Sequence, residues 1–215
     1  MTKWFDISQP LTNDMAHWPE DTPFSFSLTY TKEQTGSVNI GQMTTSLHTG
    51  THIDAPFHYD SNGKTVDQLD LGHYIGKAFV ADVSHTEKIT AEVLQRFNWD
   101  NVARILLRTA LPNNPKYFPK QMPFLDPNLA PFLKERGVTL LGVDMPSVDP
   151  PDSKTLDTHH ALYKHEIHIL ENLMLDHVNE GFYELIALPL AIKGADGSPV
   201  RAVLRSISKG GILNE

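Results

Sequence analysis

Two short apolar runs constrain the architecture of this chain most: residues 104–108 (Arg-Ile-Leu-Leu-Arg) and 138–145 (Val-Thr-Leu-Leu-Gly-Val-Asp-Met). Both are nearly continuous in apolar side chains and contain β-branched members, the pattern of strands covered on both faces. Each follows a helix signal. Thr90 is placed to N-cap a helix through Phe97, with Ile89 and Leu94 spaced to form a hydrophobic staple. Asp126 as N-cap, Pro127 at the first helical position and Gly137 just past the end bracket a second helix, with Leu129, Phe132 and Leu133 on one side. Strand, helix, strand predicts a parallel element in an α/β sheet. Further on, residues 183–192 and 200–207 flank Asp196-Gly197, a turn dipeptide that predicts an antiparallel hairpin, so the sheet should be mixed. Residues 20–60, rich in Thr, Ser and Phe with some alternation, predict further strands.

No repeat, low-complexity tract or charged linker divides the 215 residues. The expectation is one compact α/β domain, residues 1–207, in which helices flank a mixed β-sheet. The tail 208–215 (Ser-Lys-Gly-Gly-Ile-Leu-Asn-Glu) has no assignable role. With 26 acidic against 18 basic side chains, the formal charge is −8. That balance, without a Lys/Arg-rich run, leaves no electrostatic footprint for nucleic acid or an anionic membrane surface. Asp6 stands where a signal peptide would need an apolar core, and no stretch approaches ~18 uninterrupted apolar residues, so the expected location is cytoplasmic.

Cysteine is absent, which removes disulfides, thiol nucleophiles and thiolate metal sites together. A chain of this size buries roughly 70% of its unfolded surface and needs no metal staple, so a bound metal should be functional and held by His, Asp or Glu. Histidine is the conspicuous donor. Of 11, three lie between His48 and His58 and two are adjacent, His159 and His160. In the segment His48-Thr49-Gly50-Thr51-His52-Ile53-Asp54-Ala55-Pro56-Phe57-His58, Gly50, the β-branched Thr51 and Ile53, and Pro56 all argue against a helix. In an extended chain, residues of equal parity share a face, which predicts that His48, His52, Asp54 and His58 converge. One such histidine reads as an exposed or hydrogen-bonded side chain. Four potential ligands on one parity read as a metal site, and their donor set suits Zn²⁺, Mn²⁺ or Fe²⁺. The closely spaced His-x-His of a cupin site is missing.

The pattern His-x-Gly-Thr-His-x-Asp-x-Pro-x-His resembles the signature of the cyclase family of metal-dependent hydrolases, and most of all its bacterial formamidase branch. The resemblance extends over nearly the whole chain. It takes in Trp18-Pro19-Glu20-Asp21-Thr22-Pro23-Phe24, residues 142–150, His159-His160-Ala161-Leu162, Ile169-Leu170-Glu171-Asn172-Leu173 and residues 184–190. It implies a swivelling β/β/α fold, homodimers, a two-metal site that is usually zinc, and hydrolysis of N-formyl-L-kynurenine to L-kynurenine and formate. Carried over residue by residue, His48, His52 and Asp54 would bind one metal, with Asp54 bridging to a second held by His159 and Glu171. His160 competes with His159, because a one-residue change in alignment exchanges them; on a helix these neighbours diverge by about 100° and only one can face the metals. His58 matches a proton donor and acceptor, and Trp18 a residue that contacts substrate. Glu20 departs from the family's Pro-Gly-Asp-Thr-Pro, and the expectation is an altered loop beside Trp18 that weakens the substrate role carried over to it.

The implied chemistry is coherent. Amide hydrolysis needs an activated water, a stabilised oxyanion and a proton for the leaving nitrogen, and zinc lowers the pKa of bound water from about 15.7 to ~7 while polarising the carbonyl. At a reference pKa of ~6.5, about three quarters of an unligated His58 is the neutral base at pH 7. Trp18 is placed to stack on an aryl ring. Asp144, Ser147 and Asp149 lie at the expected carboxyl end of a strand, among Pro146, Pro150 and Pro151, and read as turn and supporting structure. His17, His73, His85, His165, His168 and His177 show no ligand-like grouping. Two rival readings keep the ligands, namely an amidase for isatin-like cyclic amides and a non-catalytic metal- or small-molecule-binding protein. A serine hydrolase lacks its Gly-x-Ser-x-Gly elbow here.

Overall fold

Residues 3–207 are described by the computed structural model; the expected tail, 208–215, lies outside them. In chain order the strands are β1 (Trp4–Asp6), β2 (Ser25–Tyr30), β3 (Ile40–Thr44), β4 (His52–Asp54), β5 (Ile75–Asp82), β6 (Lys88–Ile89) and β7 (Arg104–Arg108). They continue with β8 (Phe124–Leu125), β9 (Leu140–Val143), β10 (His168–Glu171), β11 (Gly181–Ile186), β12 (Gly197–Pro199) and β13 (Val203–Ser206). The α-helices are α1 (Lys32–Thr35), α2 (Ala91–Gln95), α3 (Leu129–Glu135) and α4 (Asp157–Lys164).

Nine strands make one curled mixed sheet in the order β1-β13-β11-β5-β7-β9-β10-β4-β12. The middle four, β5, β7, β9 and β10, run parallel, and antiparallel strands extend the sheet on both sides. The two apolar runs of the sequence are β7 and β9, and both faces of each are dry, as their composition requires. Phe79, Ile105, Leu107, Leu141, Val143 and Ile169 pack on one face against Leu94, Leu129, Leu133 and Leu162 of the helices. Side chains of the opposite parity, among them Ala78, Val80, Leu106, Leu140 and Leu170, line the inside of the curl with Ile53, Leu185 and Leu204.

One stretch of chain ties the margins of the curl together, since β12 pairs with β4 at one end and β13 with β11 and β1 near the other. Residues after β1 close the gap from the other side. Ser8 bridges Leu173, Met174 N–H donates to Ile7 O, and Gln9 N–H donates to Thr51 Oγ1.

The expected strand–helix–strand units are present, with shifted boundaries. Thr90 is the N-cap of α2, but its side chain makes no cap bond and the helix ends at Gln95, not Phe97. α3 begins at Leu129 with Asn128 at the N-cap; Asp126 instead accepts the Asn128 N–H in a turn, so the helix starts two residues later than Pro127 predicts. Gly137, at φ 76, ends it as expected.

The C-terminal hairpin needs a larger correction. β11 and β13 do pair antiparallel, Tyr183 opposite Ser206 through Ile186 opposite Val203, but Asp196-Gly197 is not their turn. Gly197 opens β12, where a Cβ would meet the His48 ring at 2.8 Å and Ile53 O at 2.9 Å. Glycine is there for a close approach, not for a turn. Within residues 20–60 the strands are β2, β3 and β4, of which β2 and β3 form a separate two-stranded hairpin.

Candidate metal centre

The even-parity pattern holds only for His52 and Asp54, which sit on β4 with Ile53 turned into the core between them. His48 lies on a turn before β4, and His58 ends the 3₁₀ turn Pro56–His58. A single extended strand is therefore the wrong account of the grouping. The chain bends at Gly50, φ 69, and again at Pro56, and these bends swing His48 and His58 back over β4. β10 pairs antiparallel with β4, setting Glu171 opposite His52, and the first turn of α4 delivers His159.

Asp54 is at the middle of the group. Its Oδ1 lies 2.9 Å from His48 Nδ1 and 3.4 Å from His52 Nε2, while its Oδ2 faces His159 Nε2 at 3.4 Å. His52 Nε2 is also 3.4 Å from Glu171 Oε2. Asp54, His52, His159 and Glu171 are all buried. His160, one residue on, is exposed, so α4 turns His159 and not His160 toward the carboxylates. His58, at the rim, stacks 3.9 Å from the His48 ring.

Backbone and neighbouring acids fix these donors. His52 Nδ1 donates to Gly50 O at 2.8 Å, and a carbonyl can only accept, so the lone pair of a neutral ring is on Nε2, facing the carboxylates. His159 repeats the device. Its Nδ1 donates to Asp149 Oδ2 at 2.6 Å, and Asp149 also accepts the N–H groups of Thr158 and His159. Asp149 thus caps α4 in place of Leu156, which has a left-handed backbone and no side-chain oxygen, and aims the imidazole as well. Val148 N–H holds Glu171 Oε1 at 2.8 Å.

The electrostatics call for positive charge. Burial disfavours the imidazolium of His52, but hydrogen bonding to Asp54 and Glu171 overrides it and pushes the ring up to about 10. His159 is pushed up to about 10 by Asp149 and Asp54, and His48 to about 9 by Asp196 and Asp54, both against their burial. Burial also opposes the Asp54 charge, yet the three imidazoles pull that carboxyl well below its usual range. Glu171 is shifted up, first by burial and then by the Asp54 charge. His58 goes the other way, lowered by burial and by His48. Asp54 Oδ2, fully buried, has no hydrogen-bond donor among the described residues. Neutral rings would aim lone pairs at carboxylate lone pairs, so the cluster needs either protons or a metal cation between them, and its imidazole and carboxylate donors fit a divalent ion.

The remaining expected residues fall around this cluster. Trp18 lines a small cavity with His48, Gly50 and Phe118, and its ring meets Phe118 edge-on at 5.1 Å. Asp144 accepts the N–H and hydroxyl of Thr109, and Ser147 Oγ accepts the Asp149 N–H, so both shape the turn without reaching the cluster. Glu20, the departure from the resembled pattern, has φ 71, a left-handed conformation that suits the glycine it replaces. Asp196 is the residue sequence reasoning missed. It lies 3.2 Å from His48 Nε2 and 3.6 Å from His58 Nδ1, and only β12 pairing brings it there. An Asp before Gly carries no other signal than a turn.

The Cyclase family model matches residues 5–150. The chain is 58% identical over 206 residues to the kynurenine formamidase of Bacillus cytotoxicus, covering 96% of this chain and 99% of that one. Over the same 206 residues and the same shares of both chains it is 57% identical to the kynurenine formamidase of Bacillus anthracis. Two solved structures share the fold. One, described as a potential metal-dependent hydrolase with cyclase activity, gives a TM-score of 0.81 at 24% identity, covering 97% of this chain and all of that one. Isatin hydrolase A from Labrenzia aggregata gives 0.80 at 24%, covering 96% and 94%. The chain belongs to the cyclase family, whose fold it shares with metal-dependent hydrolases.

Proposed function

We propose that this chain is an arylformamidase that hydrolyses N-formyl-L-kynurenine to L-kynurenine and formate. In this reading His48, His52, Asp54, His159 and Glu171 would hold two divalent cations, zinc foremost, with Asp54 as the carboxylate that would be shared between them. The observation that carries the metal is Asp54 Oδ2, buried without a hydrogen-bond donor among the described residues and faced by an imidazole nitrogen. The formyl substrate is supported by the relatives at 57–58% identity, which carry that activity in their name.

When bound, such cations supply Lewis acidity toward the formyl oxygen and acidify water. The protein's own part is positional and protonic. Asp54 offers one carboxylate to both sides of the site, and Gly50 O and Asp149 lock the rings of His52 and His159 so that Nε2 is the donor atom. His58, kept neutral by burial and by His48, takes a proton from water and returns it to the aniline nitrogen as the amide breaks. Asp196, 3.6 Å from His58 Nδ1, orients that ring. Trp18 contributes an aromatic wall for the aryl group.

We also infer that the chain works as a homodimer, supported by the exposed apolar face of the β2–β3 hairpin. Turnover of N-formyl-L-kynurenine, formanilide and isatin, with metal content measured on the same preparation, tests the functional reading. Formamide hydrolysis that falls with metal content is expected. Full activity after chelator stripping, or isatin cleaved far faster than the formyl substrate, would overturn it.

A further inference from the structure

Next to the small cavity beside His48 lies a second one of about 250 Å³. Gln9, Asn172, Tyr117, Pro119 and Pro146 line both, so a molecule whose reacting end lies against His48 must cross them to enter the second space. Beyond the shared residues that space is lined by the apolar Leu111 and Pro112 and the polar Asn113, Asn114 and Asp144, and among the described residues no Lys or Arg faces it.

The Gln9–Asn172 pair has amide capacity to spare. Gln9 Nε2 donates to Asn172 Oδ1 at 3.4 Å, which leaves Gln9 Oε1 as an acceptor and the Asn172 amide N–H groups as donors for another partner. Asn172 directly follows Glu171, and its backbone is left-handed, φ 56. Its N–H donates to Met145 O, and its carbonyl accepts from Thr51 Oγ1 at 2.6 Å. A strained conformation pinned from both sides beside a reacting centre is a feature of functional positions, and asparagine is among the few residues that tolerate it while offering an amide. Asp144, after the end of β9, borders the same space but is buried, with both oxygens taken by Thr109 and its carboxyl pushed up to about 7 by burial.

We propose that this second cavity is the subsite for the α-amino-acid end of the substrate, its carboxylate taken by the Asn172 amide and its ammonium by Gln9 Oε1. The proposal rests on the arylformamidase reading. It names what that reading leaves open, which is why an aryl formamide bearing a zwitterionic side chain is preferred over a bare one.

The test compares N-formyl-L-kynurenine with formanilide, which lacks the amino-acid chain, in wild type, Gln9→Ala and Asn172→Gly, the glycine keeping the left-handed backbone available. Wild type should favour the zwitterionic substrate, and each variant should lower the ratio of the two kcat/KM values about tenfold, mainly through KM. A calorimetric titration needs no turnover: L-kynurenine should bind wild type at least tenfold more tightly than 2-aminoacetophenone, and Asn172→Gly should erase that difference. Equal losses for both substrates, or unchanged discrimination in titration, would overturn the subsite while leaving the hydrolase reading standing. If wild type cleaves neither formamide, the arylformamidase reading fails and the subsite with it.

Discussion

Asp54 and His58 sit within one cluster, yet their environments assign them opposite duties. Asp54 is buried, with one oxygen unpartnered among the described residues and three imidazoles around it, so Asp54→Asn should remove charge where the proposed cations would sit. Metal content should fall by more than half and activity at least a hundredfold. His58 lies at the rim and is lowered rather than raised, so His58→Ala should retain metal and lose most turnover. Metal retained by the first variant, or activity retained by the second, contradicts these assignments. A third residue separates stability from catalysis. His168 is held neutral, pushed down to about 4 by burial and by the neighbouring His73 and Lys64, and its Nδ1 accepts from the buried Tyr74 hydroxyl at 2.7 Å. Because the folded pKa is depressed, this stabilisation is present above ~6.5 and is lost as pH falls toward about 4, on the order of 2–3 kcal/mol. His168→Gln keeps an acceptor without the titration, so urea unfolding between pH 7 and 4 should show a smaller acid loss than wild type; equal losses would count against it. The ligand-type residues were legible in sequence because their spacing is local or matches a family pattern. Asp196 was not, because its partners His48 and His58 are far from it in sequence and only the sheet brings them close.

At the level of elements, the same contrast separates β7 and β9 from β12. The central strands announce themselves, because burial on both faces demands a nearly unbroken apolar run, and the helix before β9 carries its own stop signal in Gly137. The short margins of the sheet carry no such code. β4 and β12 are three residues each, and their pairing is set by side chains from elsewhere, above all the His48 ring lying where a Cβ of residue 197 would go. That close approach makes a prediction about β12. Gly197→Ala must move either the His48 ring or the β4 backbone, an overpacking that costs about 1–3 kcal/mol. Thermal unfolding should therefore shift down and metal affinity should weaken, since either movement displaces a proposed ligand, His48 itself or His52 and Asp54 on β4. A variant with wild-type stability and metal content would show that β12 yields freely. α4 is the converse case. Its helical twist separates His159 from His160, a choice the sequence alone left open.

For the molecule as a whole, the open question is what covers the β2–β3 hairpin. Phe26, Leu28, Tyr30, Ile40 and Met43 are each about half exposed. The register places Phe26 opposite Met43 and Leu28 opposite Gly41, so Phe26, Leu28 and Met43 gather on one face while Ser25, Ser27, Gln42 and Thr44 occupy the other; Tyr30 pairs with Ile40 beyond an irregularity after Leu28. An amphipathic two-stranded ribbon is marginal in water by itself, and here Asn13 ties it to the body through hydrogen bonds to both the N–H and the carbonyl of Phe26. A second copy of the chain offers the same face about a two-fold axis, which is the commonest way to bury such a surface. Sedimentation equilibrium should therefore give twice the chain mass for wild type. The double variant Leu28→Glu, Met43→Glu puts like charges across that face and should sediment as a monomer, its circular dichroism unchanged because neither side chain belongs to the core of the curled sheet. A wild-type monomer, or a double variant that still pairs, would place the dimer elsewhere or remove it.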